Sequence, residues 1–300
     1  MTAPRDLHPA HALPGPIAVI GSSGQLGHAL ARLLTGSTAS ATPSAPVAIF
    51  SRAQLNLADP ASIDRALLGR GFKTIINAAA WTDVDGAEKD EPGANAVNAH
   101  AVAHLARVAR DSRATLVTFS TDYVFDGRGS SPYATDHPIA PLNAYGRSKA
   151  LGEHLLRESG CDHLLIRTSW VYAPRGKNFV RTIAAAARTR PSLRVVTDQR
   201  GRPTSADNLA SATLALLAKN ARGTFHVTDA GECSWFDFAR EIVRLAGLST
   251  PVEPCTSAEF PRPAPRPAYS VLDITRTEAL IGPMMPWQSA LASVMQRLEP

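Results

Sequence analysis

A short apolar run, Pro16-Ile17-Ala18-Val19-Ile20, leads directly into Gly21-Ser-Ser-Gly24-Gln25-Leu26-Gly27 and then into His28-Ala-Leu-Ala-Arg-Leu-Leu34. No other stretch restricts the fold as tightly. A short apolar run ending in glycine reads as a strand buried on both faces of a parallel sheet, and the segment after the glycines has helical spacing. Glycines 21, 24 and 27 thus sit as G-x-x-G-x-x-G between a strand and a helix. Glycine is needed where backbone must turn tightly and approach a pyrophosphate. The amino end of the helix offers unpaired N–H groups and a favourable dipole to the anion. The same spacing also fits a tight turn that binds nothing, so the surrounding pattern has to decide.

That pattern is an alternation. Strands are expected at 47–50, 74–77, 115–119 and 163–167. Helices are expected after Asp59 as N-cap with Pro60 at the first helical position, through 94–110, and around 148–158. The fold class is therefore α/β, a Rossmann-type doubly wound parallel sheet covered on both faces. Ligands bind such sheets at the carboxyl ends of the strands, which singles out the segments after the first, third and fourth strands. The later half reads differently. Helical stretches near 178–189, 206–219, 234–247 and 286–298 alternate with strand-like pieces at 193–196 and 224–227, and prolines and arginines become frequent. This predicts a flexible N-terminal extension over 1–15, a dinucleotide-binding domain over 16–172, and a smaller substrate-binding lobe over 173–300, partly interleaved with the sheet. Residues 36–46, rich in Ser, Thr, Ala and Pro, read as a loop.

Composition excludes several other classes. The 300 residues carry a formal charge of +5, but the arginines form no dense run, and a nucleic-acid surface would cluster them. Cys161, Cys233 and Cys255 are odd in number and far apart. That argues against a disulfide framework and against a zinc site, and predicts a reducing, cytoplasmic setting. No apolar run approaches the ~20 residues of a membrane span.

Two further features carry chemistry. The second strand ends in Phe50-Ser51-Arg52. The acid that usually holds the adenosine ribose 2′-hydroxyl is missing there and an arginine is available for a 2′-phosphate, which favours NADPH, with NADH still open. Tyr145 and Lys149 stand at i and i+4 and share one helix face. A phenol of ordinary pKa ~10 is a poor acid–base group near neutrality. A neighbouring ammonium stabilises the phenolate and brings the group into range. Tyr-x-x-x-Lys alone is common by chance, but Thr121 and Asp122 close the fourth strand, where a hydroxyl can reach a substrate carbonyl.

Seven stretches together carry a resemblance: Gly21–Gly27, Ile76-Asn-Ala-Ala-Ala-Trp-Thr-Asp-Val-Asp85, Ser120-Thr-Asp-Tyr-Val-Phe-Asp-Gly127, Tyr145-Gly-Arg-Ser-Lys-Ala-Leu-Gly-Glu153, Arg167-Thr-Ser-Trp-Val-Tyr172, Asp198-Gln-Arg-Gly-Arg-Pro-Thr204 and Arg266-Pro-Ala-Tyr-Ser-Val-Leu-Asp273. The chain resembles the extended short-chain dehydrogenase/reductases and, among them, the dTDP-4-dehydrorhamnose reductases, from about residue 16 to about 286. The resemblance implies reduction of a nucleotide-sugar C4 ketone. Tyr145 would be the proton donor, Lys149 the holder of the nicotinamide ribose, and Thr121 the hydrogen-bond partner of the carbonyl. Gln25 and Leu26 would meet the pyrophosphate through their backbone, and Ala80, Trp81 and Thr82 would line the cofactor channel. Asn56 and Leu57 match the family's adenine-side pair, with Asn56 standing where an aspartate is usual. Asp122 and Trp170 would contact the sugar nucleotide. Arg202 and Arg266 would meet its diphosphate or, equally, serve in structural ion pairs. A related epimerase or reductase for another sugar, and a non-catalytic nucleotide-binding subunit, stay open as alternatives. So does a homodimer.

Other features read as ordinary packing. His100 and His104 have the i, i+4 spacing of a metal pair, but no accompanying acid-rich motif supplies the remaining ligands. The resemblance also leaves open a magnesium ion held by acidic residues between subunits, with no residues here assignable to it. Trp235, Phe236 and Phe238 have core spacing.

Overall fold

The computed structural model describes residues 13–36 and 46–298, so most of the expected extension and of the 36–46 loop lies outside the described residues. The central sheet has six parallel strands: β1 (Ile17–Ile20), β2 (Val47–Phe50), β3 (Thr74–Asn77), β4 (Thr115–Thr121), β5 (His163–Thr168) and β6 (Gly223–His226). Their spatial order is β6-β5-β4-β3-β1-β2. The chain leaves β1 for β2 on one side and returns to β3 on the other. The β1–β3 boundary is thus the switch point, where a crevice opens at the strand ends. β1 and β3 are buried throughout, as strands covered on both faces must be.

One face is covered by α1 (Gln25–Thr35) and by a later helix (Ala206–Ala218). The other is covered by α2 (Pro60–Leu67), α3 (Ala101–Asp111) and α4 (Ala144–Glu158). In α1, Leu26, Ala29, Leu30 and Leu34 recur every three or four residues and form its buried stripe. Asp59 caps α2 by accepting from the Ala61 N–H, with Pro60 at the first position, as expected from sequence. The C-terminal lobe packs Phe179–Thr189, Trp235–Leu245 and Trp287–Met295 around Tyr172, Phe238 and Trp287. The chain re-enters the large sheet between these pieces, because Ala206–Ala218 and β6 belong to it.

Two elements differ from the sequence reading in ways that bear on the site. α4 begins at Ala144, where the Asn143 side chain accepts from the Gly146 N–H, earlier than the expected 148–158 span, and Tyr145 lies in its first turn, as the shared helix face of Tyr145 and Lys149 requires. The helix expected over 94–110 is present but runs as Glu91–Asn95, a π-helical turn Ala96–His100 and α3, with a further short helix Val84–Lys89 before it. The wide turn gives room for α4 to approach: a Cβ on Gly152 would lie 2.1 Å from the Asn98 carbonyl oxygen.

Candidate active site

The cofactor cradle is built by close backbone approach. Gly21 has φ +88° and accepts at its carbonyl from the Gly24 N–H at 3.0 Å. A Cβ on Gly27 would fall 2.1 Å from that same Gly21 oxygen, and one on Gly21 would fall 2.8 Å from the Ala79 nitrogen. The loops after β1 and β3 therefore touch at the switch point, and only glycine fits. Gly24 is the N-cap of α1, and no side chain caps this helix, which leaves its first-turn N–H groups for an anion. The side chain of Gln25 is committed elsewhere, accepting from Asn178 Nδ2 at 2.9 Å. Leu26 is buried in the core, which leaves the backbone of this pair for a pyrophosphate.

The residues expected to meet the adenosine end lie beyond β2. Gly21 N–H and Ser22 N–H both donate to the Phe50 carbonyl, so Ser51 and Arg52 emerge beside the glycine loop. Ser51 is tied to Gln54 at 2.8 Å, and Arg52 is exposed. Asn56 is exposed and its Oδ1 accepts from the Ala58 N–H, while Leu57 is buried. On the β3 side, Ala80 and Thr82 are exposed and Trp81 is half-buried.

The catalytic edge forms at the end of β4. Thr121 and Asp122 are buried, and Thr121 Oγ1 donates to Asp122 Oδ1 at 2.9 Å. Burial, opposed by the nearby Thr121 hydroxyl, pushes the Tyr145 phenol up to about 12. Its ring stands edge-on to Tyr123 with centroids 5.9 Å apart. Lys149 is buried and donates to the Phe119 carbonyl at 2.6 Å, and burial pushes its ammonium down to about 8. In this state enclosure sets the phenol's acidity, and the Lys149 ammonium is held by β4. Burial pushes Asp122 up to about 6, opposed by the nearby Ser270 and Thr121 hydroxyls, and its Oδ2 has no hydrogen-bond partner.

The residues expected to meet the substrate divide into two groups. Arg266 is held by Asp85 at 3.0 Å and by the Ala264 carbonyl. Arg262 reinforces this at 3.1 Å from the other Asp85 oxygen. Arg202 is partly enclosed, burial lowers its pKa, and its Nε has no partner. Trp170 has φ +48°, a strained value for a bulky residue. It stacks on Trp235 with centroids 3.5 Å apart, and a Cβ on Gly201 would sit 2.7 Å from its ring.

Sequence reasoning missed Asn98. It is buried and ties three elements together: it accepts from the Trp81 N–H at 2.9 Å, and donates to the Trp81 carbonyl and to Ser148 Oγ at 3.0 Å each. Ser148 Oγ in turn donates to the Tyr145 carbonyl at 2.8 Å. An asparagine inside an alanine-rich helical stretch, facing a helix that carries Gly152, was the available signal. Ser270 and Asp85 were missed for want of any local pattern. His104 pairs with Asp64 at 2.8 Å, joined by Arg107. Among the described residues no group of His, Cys, Asp or Glu could hold a metal ion.

A glycine cradle at the switch point beside a Thr–Tyr–Lys edge defines the short-chain dehydrogenase/reductase class. The model of the family described as the RmlD substrate binding domain matches residues 16–299, and the chain belongs to that family. It is 39% identical over 300 residues to a dTDP-4-dehydrorhamnose reductase of Burkholderia thailandensis, covering 94% of this chain and 98% of that one. It is also 39% identical to a dTDP-4-keto-6-deoxy-D-glucose reductase of Streptomyces niveus, over 93% and 96% of the two chains. The crystal structure of dTDP-4-dehydrorhamnose reductase from Bacillus anthracis in complex with NADP superposes with a TM-score of 0.87 at 32% identity, covering 93% and 98%.

Proposed function

We propose that the protein reduces the C4 ketone of dTDP-4-dehydro-6-deoxy-L-mannose to dTDP-L-rhamnose with NADPH, in the cytoplasm. The observation that carries this reading is that Thr121, at the end of β4, and Tyr145 and Lys149, on the first turns of α4, gather at the same end of the sheet as the glycine cradle after β1. The cradle fits a dinucleotide. Gly21, Gly24 and Gly27 would admit the pyrophosphate, Arg52 the 2′-phosphate, and Lys149 the nicotinamide ribose. When bound, the nicotinamide supplies the hydride. A phenol raised to about 12 is fully protonated at neutral pH, so Tyr145 is charged with the proton that the C4 oxygen must receive. Thr121 holds that oxygen against Tyr145, and the unpartnered Asp122 Oδ2 is available to a sugar hydroxyl. The lobe beyond residue 172 would close on the nucleotide sugar with Trp170 and Arg202. Arg266 reaches a diphosphate only if it leaves Asp85.

The test follows NADPH absorbance while supplying the 4-keto sugar nucleotide. Tyr145→Phe removes the proton donor and is expected to lower kcat by roughly 10²–10⁴-fold, the range of general acid catalysis. Near-normal turnover in that variant would refute the mechanism. Turnover of a different 4-keto sugar nucleotide in preference to this one would move the assignment to that substrate.

A further inference from the structure

Behind Lys149 the molecule holds a set of charges that the reaction as described does not use. Glu153 follows Lys149 by one helical turn on α4, and its side chain is only 1% exposed. Arg167 on β5, equally enclosed, donates to both carboxylate oxygens, Nε to Oε1 at 2.8 Å and Nη2 to Oε2 at 2.7 Å. Arg157, one turn further along α4 and 39% exposed, donates to Oε2 at 2.6 Å. Lys149 and Glu153 both line one small cavity, with Asn98 and Ser120.

A buried ion pair is a poor stability device, because desolvation offsets most of the attraction. Here two guanidiniums meet one carboxylate, so the group beside the Lys149 ammonium is cationic as a whole. We propose that Glu153 is a positioning residue for Lys149: the share of its charge left uncompensated by Arg167 and Arg157 sets how firmly Lys149 keeps its proton. The inference rests on reading Lys149 as the partner of Tyr145. Glu153 is the group that opposes the downward push of burial on Lys149. The other groups nearby are accounted for. His226 from β6 meets Arg167 at 3.3 Å and is held well below its ordinary range, hence neutral. The π turn and β4 present Asn98 and Ser120, which do not titrate. The titratable groups of the catalytic edge are Asp122, Tyr123 and Tyr145.

The proposal makes predictions of opposite sign. Arg157→Gln removes a cation and frees charge on Glu153, so the alkaline limb of kcat/KM, which reports the free enzyme, moves up by roughly 0.3–0.7 pH unit, the scale of a partly exposed ion pair. Glu153→Gln moves it down by at least as much, and Glu153→Asp returns it towards the original position. The same shifts are read directly by following the ε-carbon NMR signal of Lys149, one of five lysines, in ¹³C-lysine-labelled, cofactor-free protein. Shifts of the same sign in the Arg157 and Glu153 variants overturn the proposal. So does a well-folded Arg157→Gln protein whose Lys149 titrates as in the unsubstituted chain, a result that decides the matter even if Glu153→Gln fails to fold. Wild-type turnover in Lys149→Met would instead refute the reading of the site.

Discussion

Gly152→Ala places one methyl group between the catalytic helix and the π turn. The new Cβ would lie 2.1 Å from the Asn98 oxygen and 3.2 Å from its carbonyl carbon. Both are backbone atoms, so no rotamer change relieves the clash, and α4 must retreat by about 1 Å or the π turn must open. Overpacking of this kind costs about 1–3 kcal/mol. Alanine's better helix propensity offsets about 1 kcal/mol of it, leaving a net loss of up to about 2 kcal/mol. The effect on turnover is expected to be larger. The retreat breaks the 3.0 Å bond from Asn98 to Ser148 and carries Tyr145 with it, and a misplacement near 1 Å costs on the order of 10²-fold in rate. Urea unfolding gives the first quantity at constant m-value, and NADPH absorbance the second. A variant with an unmoved or higher urea midpoint and full kcat would refute the reasoning, since α4 and the π turn would then not be locked together through this contact.

Three other perturbations test separate parts of the site. Arg52→Ala is expected to raise KM for NADPH about tenfold or more and leave KM for NADH nearly unchanged, as the loss of one charge-assisted phosphate contact predicts; equal effects on the two cofactors in initial-rate assays would remove Arg52 from the 2′-phosphate. Gly201→Ala drives a methyl against the Trp170 ring and unstacks it from Trp235, so intrinsic fluorescence should change and KM should rise for the sugar nucleotide but not for NADPH. Lys149→Met should abolish turnover yet stabilise the protein at pH 7. Burial pushes this ammonium down to about 8, so the folded chain binds fewer protons than the unfolded one between about pH 8 and ~10.4. Stability rises with pH across that window, and below it the penalty is present in full, up to ~3 kcal/mol less the bond to the Phe119 carbonyl; a lower urea midpoint than the unsubstituted chain at pH 7 would contradict this.

The parts of this molecule that were readable in sequence are those whose causes are local. β1, the glycine loop and α1 follow one another in the chain, and their requirements are backbone conformation and alternating burial. Each leaves a residue type at a fixed offset, such as Gly27 opposite the Gly21 oxygen. Asp59-Pro60 at the start of α2 is legible for the same reason. Tyr145 and Lys149 share a helix face by spacing alone. The Asn98 clamp was illegible because its partners, Trp81 and Ser148, are 17 and 50 residues away. Seen along the chain, Asn98 is only an indifferent residue in a plausible helix. Arg266 was ambiguous because an arginine suits a phosphate and a carboxylate equally well, and only the fold brings Asp85 within 3.0 Å.

The same distinction explains why the substrate side is the harder half to read. Cofactor recognition of the proposed kind would be carried by backbone, so it constrains sequence strongly and locally. Recognition of the proposed sugar nucleotide would be carried by side chains gathered from distant segments, after β4, at Trp170, at Arg202 and at Arg266–Ser270. Several of these are held in ways that binding must alter. Arg266 is ion-paired, Asp122 Oδ2 and Arg202 Nε are buried without partners, and Trp170 occupies a strained backbone conformation. A buried polar atom without a partner costs about 1–3 kcal/mol, and a bulky residue at positive φ costs a similar amount. Asp122, Arg202 and Trp170, all on the expected substrate side, each carry such a cost. A ligand that supplies the missing hydrogen bonds regains that energy on binding, so the protein should gain more stability from the nucleotide sugar than its contact area alone predicts.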